Sequence, residues 1–164
     1  MLHVRTRSAE ETKQVAEAIE PVLQSGDVIL LSGDLGAGKT VFTQGLALAL
    51  GVRERVTSPT FTLAASYEGR IKLHHLDVYR LENLAEVVDL DLPGLLDDDA
   101  IVCIEWGEVV MPEIPREFLK LNVQLGHPED IPDARVLEFE FIGPMWMQRE
   151  GAIASRCAAW IEKD

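Results

Sequence analysis

Gly33-Asp-Leu-Gly-Ala-Gly-Lys-Thr40 (GDLGAGKT) follows the apolar run Val28-Ile29-Leu30-Leu31. A short apolar run predicts a strand, and the pattern Lys39 to Leu50 beyond the glycines predicts a helix that Gly51 ends. Glycines let a backbone turn around an anion without side-chain clash. Successive N–H groups then point at the anion, and the N-terminus of the following helix adds its positive dipole end. Gly33, Gly38, Lys39 and Thr40 fill the pattern G-x-x-x-x-G-K-[ST], in which the lysine neutralises the β- and γ-phosphates and the hydroxyl ligates Mg²⁺. The strand before it and the helix after it separate this stretch from an ordinary glycine turn.

Upstream, Ser8-Ala9-Glu10-Glu11 is a capping box, and Val15, Ala16, Ile19, Val22 and Leu23 recur at helical spacing. The spacing predicts a helix of about four turns, ended by Ser25-Gly26-Asp27. Downstream, Thr60–Tyr67 and Ile71–Val78 read as strands of a hairpin around Glu68-Gly69-Arg70. Leu81–Leu96 reads as one or two short helices broken at Pro93-Gly94, and Asp97-Asp98-Asp99 as a solvated turn. Ala100–Ile104 is wholly apolar, as a strand covered on both faces requires. Phe118–Leu125 and Arg135–Ile142 are two more strands, and Met145–Glu162 is a closing helix with Pro144 near its first position. Together these predict one α/β domain over residues 1–164, a phosphate-loop fold of three layers with a mixed parallel and antiparallel sheet.

A phosphate loop needs partners for its metal and for the attacking group. Ligands in open α/β sheets lie at the carboxyl ends of strands, which selects Glu105 as a Walker-B-type acid. It would bind the metal directly, bind it through water, or orient the attacking water. Asp77 ends the second hairpin strand, either as a metal-site acid or as a salt-bridge partner of Arg80. His74 and His75 point to opposite faces of one strand and do not share an ion, so both are expected to be ordinary structural histidines. Thr57-Ser-Pro-Thr-Phe61 is either a Pro-containing turn or a segment that closes over the γ-phosphate.

GDLGAGKT, VTSPTF, LHHLDVYRL and VCIEWGE, in this order and spacing, make the chain resemble the TsaE (YjeE) family of bacterial ATPases, required for making threonylcarbamoyladenosine in tRNA. The resemblance runs from the capping box to Arg135. It implies ATP and Mg²⁺ as ligands and association with the TsaB and TsaD proteins. Leu35, Gly36, Ala37, Gly38, Lys39 and Thr40 match its ATP-binding loop, Thr40 and Glu105 its Mg²⁺ site, and Asp77 the acid of D-x-Y-R. Lys39, Glu105 and Asp77 are thus the expected catalytic groups. Trp106 matches the aromatic after the Walker-B-like Glu, and Thr12 an N-terminal position of the nucleotide pocket. Arg135 matches a late position, although its lead-in PDARVLEF departs from the usual Gly-x-x-Arg. The segment from Pro144 onward matches nothing specific, so the helix over 145–162 is expected to be a local elaboration.

Composition narrows the function classes. Of 164 residues 47% are hydrophobic, which excludes a disordered chain. No apolar stretch approaches the ~18 residues of a membrane span, and the first residues hold no apolar signal core, so a cytoplasmic protein is expected. Cys103 and Cys157 form no metal-type spacing and are expected as buried thiols. With 28 acidic against 15 basic residues the net charge is −13, so the isolated chain is not expected to bind tRNA directly. A small-molecule kinase of the same fold is the alternative, but an arginine-rich lid is not visible. A GTPase would need an Asn-Lys-x-Asp motif, which the sequence lacks. A binding module with structural ATP would not require two acids at strand ends.

Overall fold

A computed structural model describes residues 1–59, 63–79 and 90–161. Among these residues, seven strands form one sheet in the order β1-β7-β6-β2-β5-β4-β3. They are β1 (Leu2–Thr6), β2 (Val28–Ser32), β3 (Ala64–Tyr67), β4 (Lys72–Asp77), β5 (Ala100–Glu105), β6 (Phe118–Leu125) and β7 (Arg135–Ile142). The centre is parallel, with β2 between β5 and β6 and β4 beside β5. Both flanks are antiparallel: β6–β7–β1 on one side, the β3–β4 hairpin on the other. The helices are α1 (Ala9–Ile19), α2 (Lys39–Ala49), α3 (Leu92–Asp97) and α4 (Pro144–Arg156).

The two faces of the sheet carry two cores, which makes three layers. Ile29, Leu31, Ile101, Cys103, Leu119 and Leu121 pack with Ile19, Phe42, Leu46 and Trp146 from the helices. The alternate residues Val28, Leu30, Val102 and Ile104 pack with Leu76, Leu92 and Val110 on the opposite face. Every residue of β5 is buried, because helical layers cover it on both sides. Gly45 lets α2 cross α1 closely, since a Cβ there would stand 2.5 Å from the Lys13 backbone.

Several boundaries differ from the sequence expectation. β1 was not anticipated: five residues alternating buried and exposed pair with β7, more than a hundred positions away. Ser8 does cap α1, its hydroxyl accepting from the Glu11 N–H, but the α-helix stops at Ile19 and tightens into a 3₁₀ turn at Glu20–Val22. Pro21 has no N–H to continue the ladder. Pro93-Gly94 does not break a helix but lies in the first turns of α3, where a missing N–H costs nothing. Residues 81–89 of the helix expected there, and 60–62 of the strand expected from Thr60, lie outside the described residues. Gly107–Glu113 forms an unanticipated 3₁₀ segment. The closing helix ends at Arg156, followed by a 3₁₀ turn at Ala158–Trp160, and Glu162 lies outside the described residues. That helix is integral to the packing: its Trp146 and Ile153, with the Cys157 that follows it, join the main core, and Arg149 donates to Asp27 at 2.7 Å.

Candidate functional site

β2 delivers the chain to Gly33 at φ +131°, with β6 directly alongside. A Cβ on Gly33 would lie 2.0 Å from the carbonyl oxygen of Val123, so the turn requires glycine. Gly36 and Gly38 also have positive φ, +77° and +112°. Gly38 is the N-cap of α2 and leaves the helix N-terminus free of side chain. Leu35 projects at the loop tip, 77% exposed, while Ala37 is buried. Arg135 braces this loop from behind. Its Nε donates to the Ala37 carbonyl at 2.8 Å and its Nη1 to the carbonyls of Pro132 and Ala134.

Thr12 and Arg135 share a cleft of about 80 Å³ with Gly36, Ala37, Gly38 and Val41. The Thr12 hydroxyl donates to the Ser8 carbonyl (3.3 Å) and meets the Thr6 hydroxyl at 2.8 Å. Thr12 therefore gives this cleft a wall rather than a free donor.

Lys39 folds back into its own loop. Its side chain is 4% exposed, and Nζ donates to the carbonyls of Gly33 and Asp34, both at 2.9 Å. Nζ also stands 4.1 Å from the centre of the Trp106 ring, which packs against Tyr79 at 4.8 Å. Burial lowers the Lys39 pKa from 10.5, opposed by the carboxylates of Glu105, Asp77, Asp34 and Glu108. The ammonium thus sits where several negative charges converge, bonded to the carbonyls of its own loop. Trp106 holds this place from a left-handed backbone, φ +62°, a conformation that costs a non-glycine residue about 1 kcal/mol.

Glu105 and Asp77 end adjacent parallel strands in register. By alternation both share the sheet face of Cys103 and Leu73, the face that α2 covers. The Thr40 hydroxyl, in the first turn of α2, lies 3.2 Å from both Glu105 oxygens. Asp77 accepts from the Ser58 hydroxyl at 3.0 Å and from the Tyr79 N–H at 3.1 Å. The Asp77–Arg80 pair considered above involves Arg80, which lies outside the described residues, as do Thr60 and Phe61 of the 57–61 segment.

The donor set fits a hard cation. Thr40 and Glu105 place hydroxyl and carboxylate oxygens together at a helix N-terminus, and Mg²⁺ is held by one or two such side chains with phosphate and water completing the octahedron. Among the described residues no three His, Cys, Asp or Glu side chains gather into a larger metal cluster. Both thiols are buried, which raises their pKa values, that of Cys157 to about 11.

The two histidines part as alternation requires, and each meets a different carboxylate. His74 bonds Ser66 through Nδ1 (2.7 Å) and Asp98 through Nε2 (2.9 Å), tying the hairpin to the turn before β5. His75 is fully buried and its Nε2 lies 2.5 Å from Glu105 Oε2. The sequence reading of His75 as a structural histidine named no partner for it. The available signal was its position two residues before Asp77, on the same strand face.

A family profile described as "Threonylcarbamoyl adenosine biosynthesis protein TsaE" matches residues 6–132. The chain is similar to the tRNA threonylcarbamoyladenosine biosynthesis protein TsaE of Treponema pallidum, 42% identical over 73% of this chain and 89% of that one. It is 38% identical to the Bacillus subtilis protein of the same name, over 85% of each. The crystal structure of Bacillus subtilis YdiB superposes with a TM-score of 0.74 at 31% identity, covering 96% of this chain and 94% of that one.

Proposed function

The chain belongs to the TsaE family of threonylcarbamoyladenosine biosynthesis proteins, and from that premise we propose that it is a Mg²⁺-dependent ATPase acting as a switch on a TsaB–TsaD complex during tRNA modification. The observation that carries this reading is the convergence of Lys39, Thr40 and Glu105 at one glycine loop.

The N–H groups of the loop and the α2 N-terminus receive the phosphates. Lys39 exchanges its bonds to the Gly33 and Asp34 carbonyls for phosphate oxygens, a short displacement because those carbonyls line the same loop. The cleft at Thr12 and Arg135 continues the loop on the side available to the rest of the nucleotide. Thr40 and Glu105 would hold the metal, which would supply positive charge to neutralise the phosphates. Glu105 and Asp77, ending adjacent parallel strands in register, are the acids assigned to orient the attacking water, and Trp106 with Tyr79 covers the Lys39 side and limits water entry. No step transfers phosphate to a second substrate, which distinguishes this reading from a small-molecule kinase.

The reading places the protein in the cytoplasm with its tRNA pathway. No helix among the described residues is long and apolar enough to cross a membrane. Direct tRNA binding is not part of the proposal. Arg70 pairs with Glu20 and Lys72 with Asp98, which leaves less positive charge for phosphates on an already acidic chain.

The test is ATP hydrolysis with and without purified TsaB and TsaD. Slow turnover alone, acceleration by the partners, and ADP with no phosphorylated small molecule are expected. Fast turnover that the partners leave unaltered would defeat the switch reading. Micromolar tRNA binding by the isolated chain at low salt would make it a tRNA-contacting subunit instead.

A further inference from the structure

A histidine in a protein core normally satisfies both ring nitrogens. His74 does so, with Ser66 on one side and Asp98 on the other. His75, its neighbour, does not. Its Nε2 makes the 2.5 Å contact with Glu105, while its buried Nδ1 has no hydrogen-bond partner among the described residues. An unpaired buried nitrogen opposes folding, so packing alone does not account for an imidazole here. What the ring achieves is one short, directional bond to a carboxylate that is itself only 5% exposed.

We infer that His75 is a positioning residue for Glu105: its Nε2–H fixes the carboxylate so that Oε1 is presented to the metal and the attacking water. This rests on the ATPase reading above. The facing atom is a carboxylate oxygen, an acceptor, so the hydrogen resides on His75 Nε2. Oε2 is held by this bond, whereas among the described residues Oε1 has only the long 3.2 Å contact with Thr40, whose hydroxyl is shared with Oε2. Oε1 is therefore the oxygen free to change partners when nucleotide and metal arrive. The imidazole cannot follow a swinging carboxylate. It projects from β4, which is paired on both sides, by β3 and by β5, and His75 stands in register with Cys103 in the fully buried β5. Partners that orient a metal-binding side chain in this way typically alter metal affinity or activity 10–100-fold when lost.

The test compares His75→Phe, which keeps a ring and removes the donor, with His75→Gln, whose amide places an N–H near the original Nε2. Three quantities are read: Mn²⁺ affinity by electron paramagnetic resonance with a non-hydrolysable ATP analogue, kcat and KM for ATP, and the nitrogen resonances of the His75 ring in the free chain. We expect His75→Phe to weaken Mn²⁺ binding and kcat about tenfold with KM for ATP within about twofold, and His75→Gln to recover most of both. The free chain should show a protonated Nε2 whose resonance moves in Glu105→Gln. Wild-type Mn²⁺ affinity in a folded His75→Phe chain overturns the inference, as does an Nε2 without a proton or one indifferent to Glu105→Gln. Should His75→Phe fail to fold, recovery or loss in His75→Gln and the ring resonances decide. A wild-type chain that hydrolyses no ATP with its partners present defeats the ATPase reading alone, because the Mn²⁺ and ring measurements need no turnover.

Discussion

The parallel centre of the sheet and its antiparallel wing are built on opposite principles. In β6 and β7 the wing alternates: Leu119, Leu121, Val123, Leu137 and Phe139 face the core, while Lys120, Asn122, Glu138 and Glu140 lie between them, only partly buried. Its polar groups pair across strands, as Asn122 does with Glu138 at 3.0 Å. The centre instead buries polar groups at its carboxyl edge: Lys39, His75 and Glu105 are nearly inaccessible, and Lys39 bonds its own loop. Burying charge is costly and is tolerated where the groups neutralise one another or await a ligand. The wing is thus built for packing, whereas under the proposed function the carboxyl edge of the centre is where the chemistry sits. The two meet where Gly33 passes the Val123 carbonyl.

Breaking that seam should have the largest effect. Gly33→Ala forces a Cβ into a backbone oxygen at a φ that disfavours side chains, and both penalties add to about 4 kcal/mol of lost stability. Urea unfolding measures it, and a midpoint within experimental error of wild type would show that the close approach is not obligatory.

Phe139→Ala strikes the wing alone. A fully buried aromatic replaced by alanine costs about 3 kcal/mol or more. ATP turnover per folded molecule should stay unchanged, and a parallel fall in turnover would show that the wing supports the site as well as the fold.

Substitutions in the centre should do the reverse. Lys39→Ala is expected to cut ATP turnover at least hundredfold, about 2.7 kcal/mol of transition-state stabilisation, and to weaken nucleotide binding. Thr40→Ala and Glu105→Gln should each cut Mg²⁺-dependent turnover more than tenfold, about 1.4 kcal/mol, with nucleotide better retained than in Lys39→Ala. Melting temperatures close to wild type are expected for all three. Normal hydrolysis by Glu105→Gln would move the role to Asp77.

The smallest effect belongs to the far edge of the sheet. The Lys72 ammonium, and then His74, hold the Asp98 carboxyl below its usual 3.8. A depressed carboxylate stabilises the fold fully above its ordinary pKa, and the contribution is lost as pH falls through the lowered folded value. Asp98→Asn should therefore lower the melting temperature slightly near neutral pH, with the difference vanishing in acid. A difference that instead grew toward low pH would reverse the assigned charge state.

The elements that carry the site were legible because each is local. The glycine loop needs only its own residues and the strand and helix that flank it, and β5 announces itself as an unbroken apolar run. The chain's order of motifs sufficed to indicate the family and the mixed sheet. Short or distant pairings were not legible. β1 is five residues long and is defined by β7, and α3 begins where Pro93-Gly94 read as a break, because a first turn and a helix end use the same residues.

Sequence by itself determined which side chains are present at the carboxyl ends of the strands: Lys39, Thr40, Asp77 and Glu105 are set by motif and alternation. Tertiary structure decided their states. Lys39 turns inward because the Gly33 and Asp34 carbonyls are the nearest acceptors for a buried ammonium. Arg135 braces the loop through the Ala37 carbonyl because β7 brings it there from 98 residues away. His75 meets Glu105 rather than solvent because β4 and β5 pair in parallel, with His75 against Cys103 and Asp77 against Glu105. Alternation names the face on which a residue stands, but only the pairing of strands names the neighbour it finds there.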